Sequence, residues 1–67
     1  MPRYFFDIAD GDRFPDLRGE ELPNDEAARR EGLEMALAIE ESRQRDTHWR
    51  VVVKRENGDC VAEFKLD

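Results

Sequence analysis

Residues 48–66, HWRVVVKRENGDCVAEFKL, read as a β-hairpin. Two runs alternate apolar and polar side chains, and the Asn57-Gly58 dipeptide between them is a strong hairpin-turn signal. Closing a two-residue turn there pairs Arg55 with Cys60, Val53 with Ala62, Val51 with Phe64 and Trp49 with Leu66. Directly opposed residues share a face, so the apolar sets of both strands land together without adjustment. Turn chemistry and side-chain period agree, and that agreement fixes the register. The other face carries His48, Arg50, Val52 and Lys54 against Val61, Glu63 and Lys65. It is polar and faces water.

Upstream, Pro23-Asn24-Asp25-Glu26 announces a helix. Asn24 is a good N-cap, and Asp25 and Glu26 put negative charge at the positive end of the helix dipole. Pairs spaced i,i+4 support it: Asp25 with Arg29, Glu26 with Arg30, Glu41 with Arg45. A helix is expected over about 25–45. At 100° per residue, Ala28, Gly32, Met35, Ala36 and Ile39 form one stripe of mostly small residues. Leu33 and Leu37 fall outside that stripe.

The opening PRYFFDIA (2–9) reads as a strand with Tyr4, Phe6 and Ile8 on one face and Arg3, Phe5 and Asp7 on the other. Asp10-Gly11 suits a type I′ turn, and a second strand from Asp12 should stop near Pro15, which has no amide proton. Asp16–Gly19 has the composition of a further turn, with Gly19 left-handed, and Glu20-Glu21-Leu22 can add a short extended piece. The whole chain, 1–67, therefore reads as one α+β domain, ββαββ, a four-stranded antiparallel sheet with one helix on one face. A right-handed helical crossover favours spatial order 2-1-3-4.

Composition narrows the function classes. A chain of 67 residues has little surface to bury, and such domains often add disulfides, a metal or a partner subunit. The single Cys60 excludes an internal disulfide and fits a reducing compartment, the cytoplasm. Seventeen acidic against eleven basic residues give a net charge of −6, which would repel a nucleic acid. No run is long and apolar enough to span a membrane.

Four constellations could carry chemistry. Asp10, Asp12 and Glu21 occupy positions 1, 3 and 12 of an EF-hand loop, but Phe14 stands at the ligand position 5 and Pro15 at the glycine position 6. With Asp7, Asp16 and Glu20, these carboxylates are read as turn and solubility residues, so no metal or cofactor is expected. Glycosidase-type catalysis needs two carboxylates across a cleft, and these lie on turns. Cys60 should point inward as a buried thiol and His48 outward, so they do not form a nucleophile–base pair. Arg50, Lys54, Arg55 and Lys65 make a basic strip read as solvated surface, in which Arg50 opposite Lys65 is an unfavourable like-charge pair.

MPRYFFDI with Asp10-Gly11, then Asp16…Gly19 and Glu21-Leu22-Pro23 before the helix, resembles a family of short bacterial domains of unknown function. That resemblance implies this fold and a bacterial source, with no catalytic residue to transfer. Phe14-Pro15-Asp16-Leu17 and Gly19 before the helix are also similar to HicB-type antitoxin domains, which implies a binder that neutralises a basic toxin or nuclease.

The functional expectation is a non-enzymatic protein-interaction module that homodimerises, with a further protein partner unidentified. Phe5 and Phe14 are expected to face each other opposite the helix. With Leu33 and Leu37 they are the apolar residues that a monomer does not obviously bury, and such clusters mark interfaces.

Overall fold

The computed structural model describes residues 1–10, 12–42 and 49–66. Its elements are β1 (Arg3–Asp10), β2 (Asp12–Phe14), β3 (Glu20–Glu21), α1 (Asp25–Ser42), β4 (Trp49–Arg55) and β5 (Cys60–Leu66). The strands form one antiparallel sheet in order β2-β1-β4-β5, with β3 also on β1. The α+β fold and the order of its four main strands are those expected. Residues 43–48 lie outside the described residues, and with them the Glu41–Arg45 pair and His48.

α1 starts where its sequence says it should. The Asn24 side-chain oxygen accepts the Ala27 amide at 2.8 Å, closing the N-terminus. Of the expected stripe, Ala28, Gly32 and Ala36 are buried and Met35 and Ile39 half-buried. Gly32 marks the closest approach. A Cβ there would lie 2.5 Å from Val53 Cγ2 and 3.1 Å from Phe64 Cε2, so the helix axis runs over the seam between β4 and β5. Beneath it, Tyr4, Phe6, Ala28 and Val53 form one buried cluster and Ala36, Trp49 and Val51 a second, joined through Met35 and Phe64.

The β4–β5 hairpin keeps its expected register where the core demands it: Val53 opposite Ala62, Val51 opposite Phe64, Trp49 opposite Leu66. Near the turn it departs. The Gly58 amide donates to Arg55 O at 2.9 Å and the Arg55 amide to Asp59 O at 2.8 Å. Gly58 has φ +98° while Asn57, like every other non-glycine among the described residues, does not have positive φ, so a type I′ turn on Asn57-Gly58 is excluded. A three-residue loop with a left-handed glycine replaces it. The Asn57 side-chain oxygen accepts the Asp59 amide at 3.0 Å, an Asx turn that closes the loop locally. The loop offsets the strands by one residue, and an irregularity at Val53/Lys54 restores them, setting Lys54 rather than Arg55 opposite Cys60. Cys60 is consequently exposed, correcting the expected buried thiol. Val61, expected outward, packs against the first core cluster.

β2 and β3 share the other edge of β1. β2 pairs Ile8, Ala9 and Asp10 with Phe14, Arg13 and Asp12, and β3 pairs Arg3 and Tyr4 with Glu21 and Glu20. The Asp16 side chain fills the gap between them. Its Oδ2 accepts the Phe6 amide at 3.1 Å, where a strand would otherwise have supplied a carbonyl. Its Oδ1 accepts the Arg18 and Gly19 amides at 3.0 and 3.1 Å. Asp7 Oδ1 in turn accepts the Asp16 amide at 3.0 Å. Phe14 stands opposite Ile8, so the expected Phe5–Phe14 juxtaposition does not form. The Phe14 side chain and Gly11 lie outside the described residues.

Candidate functional site

Of the residues expected to offer apolar interface patches, Leu33 and Leu37 lie on the helix and Phe5 on the far side of the sheet, as expected. Leu33 and Leu37 lie one turn apart on α1, 44% and 58% exposed. Phe5 lies on the opposite side of the molecule, because strand alternation turns it away from the helix that covers Tyr4 and Phe6. It is half-buried, and a Cβ on Gly19 would come within 3.0 Å of its ring. The Asp16–Gly19 turn thus shelters it. Leu33 and Leu37 stay together as an apolar pair.

The helix-free face of the sheet holds a shallow depression of about 240 Å³, lined by Asp7, Ala9, Pro15, Arg50, Val52 and Lys54. Its two cations are already engaged. Lys54 Nζ lies 2.6 Å from Asp7 Oδ2, and the Arg50 guanidinium 3.3 Å from Glu63 Oε2. Burial pushes the Asp7 carboxyl up, but the bonds from Lys54 and the Asp16 amide outweigh it and hold it below the ordinary range. Asp16 shows the same balance: burial raises it, and the amides of Gly19, Phe6 and Arg18 bring it below normal. A depression whose charges are neutralised in place offers a ligand few unpaired handles.

A third polar group sits where α1 meets the sheet. The Tyr4 hydroxyl donates to Asp25 Oδ1 at 2.7 Å, and the Arg55 guanidinium bonds both oxygens of the same carboxylate. Arg55, then Tyr4, hold the Asp25 carboxyl below its usual range, while the bond to Asp25 raises the Tyr4 hydroxyl. Asp25 therefore reaches across to β4, where the helical spacing suggested Arg29. This triad ties β1, α1 and β4 together and is structural in geometry. Its signal in the sequence was the inward Tyr4, whose hydroxyl needs a partner when buried.

Of the basic strip, Arg50, Lys54 and Arg55 are in ion pairs. Lys65 stands directly opposite Arg50, as the alternation predicts. Among the described residues, no group of three or more His, Cys, Asp or Glu is placed to hold a metal ion. No helix among them is long and apolar enough to cross a membrane.

The remaining long feature is the outer edge of β5, seven residues with no strand beyond it among the described residues. Strand edges left open pair with other chains unless they are blunted. Compared with known proteins, residues 3–67 match the model of one family, described as a domain of unknown function (DUF6894). No curated protein and no solved structure matches.

Proposed function

The chain belongs to the family described as a domain of unknown function (DUF6894), and from that premise we propose that it is a non-enzymatic protein-interaction module working as a homodimer. The observation that carries this reading is the Leu33–Leu37 pair. Two leucines one turn apart, each about half exposed, stand on a helix whose opposite stripe is already used by the core. Fully burying a leucine side chain is worth about 1.5–3 kcal/mol, so covering the exposed half of each contributes about 1 kcal/mol. A small domain gains proportionally from any added burial, because its own core covers less of its surface.

Size-exclusion chromatography with light scattering at micromolar concentration tests the reading. The expected mass is twice the chain mass of 7.9 kDa. Leu37→Glu should shift it to the monomer while leaving the far-ultraviolet circular dichroism unchanged, since the side chain is 58% exposed. A monomer mass for the unaltered chain up to 100 μM removes the proposal.

A further inference from the structure

The two edges of the sheet are unlike. β1 is covered on its outer side by β2 and β3, three and two residues long, and by the Asp16 carboxylate between them. β5 presents seven residues and is uncovered among the described residues. Resting on the self-association argued above, we propose that a second copy of this chain pairs with β5 antiparallel, Glu63 of each copy opposite Lys65 of the other, with the Leu33–Leu37 flanks of the two helices in contact.

The charges select this register. Two identical antiparallel strands related by a two-fold axis can pair only in registers whose residue numbers sum to an even value. Centring on Glu63 sets Glu63 against itself, and centring on Lys65 sets Lys65 against itself. Centring on Phe64 sets Glu63 against Lys65 twice. Like charges directly opposite are destabilising and opposite charges stabilising. The second pairing also relieves a conflict within each copy. Lys65 lies opposite Arg50 on β4, whose guanidinium also pairs with Glu63 of the same copy, and Glu63 of the second copy would flank Lys65 on its other side.

The helices agree with the strands. α1 runs over the seam of β4 and β5, as the contacts around Gly32 show. With strands roughly 4.8 Å apart, the two helix axes would then lie roughly 10 Å from one another, at the upper end of helix packing distances. Leu33 faces that way. α1 leads from β3 to β4, and in a right-handed crossover the residues that follow the buried stripe round the helix, Leu33 among them, turn towards β5. The carboxyl of Glu31, about 200° round the helix from Leu33, is raised by burial and then by the charges of Glu20 on β3 and of Glu34, in keeping with the opposite flank. Along the axis, Gly32 lies over Val53 and Phe64, and Ala36 clusters with Val51 and Trp49. A two-fold axis through Phe64 therefore meets the helix between Gly32 and Ala36, where Leu33 of one copy comes beside Leu37 of the other. The same operation brings exposed Arg29 and Arg30 towards exposed Glu40 and Glu41 of the second copy. Three features fixed independently, an edge charge pattern, a helix position and a helix charge pattern, share one axis.

Charge exchange tests it. In Glu63→Lys, both edge residues are basic; in Lys65→Glu, both are acidic. Each variant alone should dimerise at least about tenfold more weakly than the unaltered chain, because two attractive cross-strand pairs become repulsive. Mixed one to one, they should form a heterodimer close to the original affinity, an outcome that misfolding of either variant cannot produce. Amide exchange gives a second reading: the β5 amides directed away from β4 should be protected at high concentration and lose that protection on dilution. An unaltered chain that is monomeric overturns this inference together with the reading beneath it. A dimer that survives both single variants, with β5 amides unprotected, overturns the edge pairing alone and leaves association through the helix faces.

Discussion

The two edges of the β1–β4 pair are completed by different physics. β4 and β5 are held in register by apolar period, seven residues against seven, with Val51 and Val53 wholly buried under the helix. The outer edge of β1 is held by a carboxylate, with Asp16 accepting three amides between two strands too short to hold alone. A period tolerates slippage at its end: the turn of the second hairpin offsets the strands by one residue, and the core pulls them back within two. A clasp of named atoms has no such tolerance. The β4–β5 side should therefore respond to changes of volume, and the β1 edge to changes of charge and of backbone conformation.

The largest effect should come from volume on the β4–β5 side. Gly32→Leu places side-chain atoms where a Cβ alone would already sit 2.5 Å from Val53 Cγ2. The helix must lift off β4 and β5, at a cost of at least about 3 kcal/mol, the upper range for overpacking. Chemical denaturation should show it as a lowered midpoint. A midpoint within about 1 kcal/mol of the original would mean that the helix is not seated on that seam.

Next come two left-handed glycines, Gly19 in the turn between β2 and β3 and Gly58 in the turn of the second hairpin. Gly19 has φ +73° and Gly58 φ +98°, so alanine is strained at both by about 1 kcal/mol. Their surroundings differ. A Cβ at Gly19 would lie 2.8 Å from the Tyr4 carbonyl oxygen, a backbone atom, whereas nothing lies within 4 Å of one at Gly58. Gly19→Ala should thus cost about 2 to 3 kcal/mol and Gly58→Ala about 1. Equal costs would show that the clasp at β1 yields as freely as the exposed turn.

This asymmetry also explains which parts of the fold were legible in the sequence. The helix stripe and the pairs Val53–Ala62, Val51–Phe64 and Trp49–Leu66 follow from periods of 3.6 and 2, and both were read correctly. The Phe5–Phe14 juxtaposition and the Arg55–Cys60 pairing were not, because each depends on the register next to a hairpin turn. Asn57 has its side chain bonded to the Asp59 amide and stays out of the left-handed region, a choice invisible to the dipeptide rule. Asp16 read as a turn residue, which it is, but its bond to the Phe6 amide spans ten residues and has no local signature. For the candidate site, exposure of Leu33 and Leu37 was legible from the helical projection. That Phe5 lies under a turn needed the three-dimensional arrangement.

Acid should separate the two sides. The carboxyls of Asp7 and Asp16 both titrate below their ordinary range in the folded chain. A group depressed in this way contributes stability that is complete above its unfolded pKa, near 3.9, and is lost as pH falls through the folded value. Amide exchange at Phe6, Arg18 and Gly19 should therefore accelerate below about pH 4, ahead of the β4–β5 amides in the core. Asp25 is depressed too, chiefly by Arg55, so the junction of α1 with the sheet should loosen in the same window. Asp16→Ala removes the acceptor for three amides and should cost about 2 kcal/mol at neutral pH, with a shallower acid transition. An acid profile unchanged by that substitution would mean that the clasp is not what holds the edge.

The smallest effect is the sharpest on the period side. Were Cys60 the buried thiol that simple alternation predicts, replacing it with serine would bury a hydroxyl and cost about 1 to 3 kcal/mol. The structure exposes it instead, its Sγ 3.6 Å from the Ala62 carbonyl, a bond that a serine hydroxyl can also make. Cys60→Ser should then change stability by no more than about 0.5 kcal/mol. Val61, carried into contact with the core by the same irregularity, should be the costlier site, Val61→Ala losing about 1 kcal/mol. The two substitutions together locate the extra residue of β5. If serine at 60 costs more than alanine at 61, the strand keeps plain alternation to its start, and the second hairpin owes nothing to its turn.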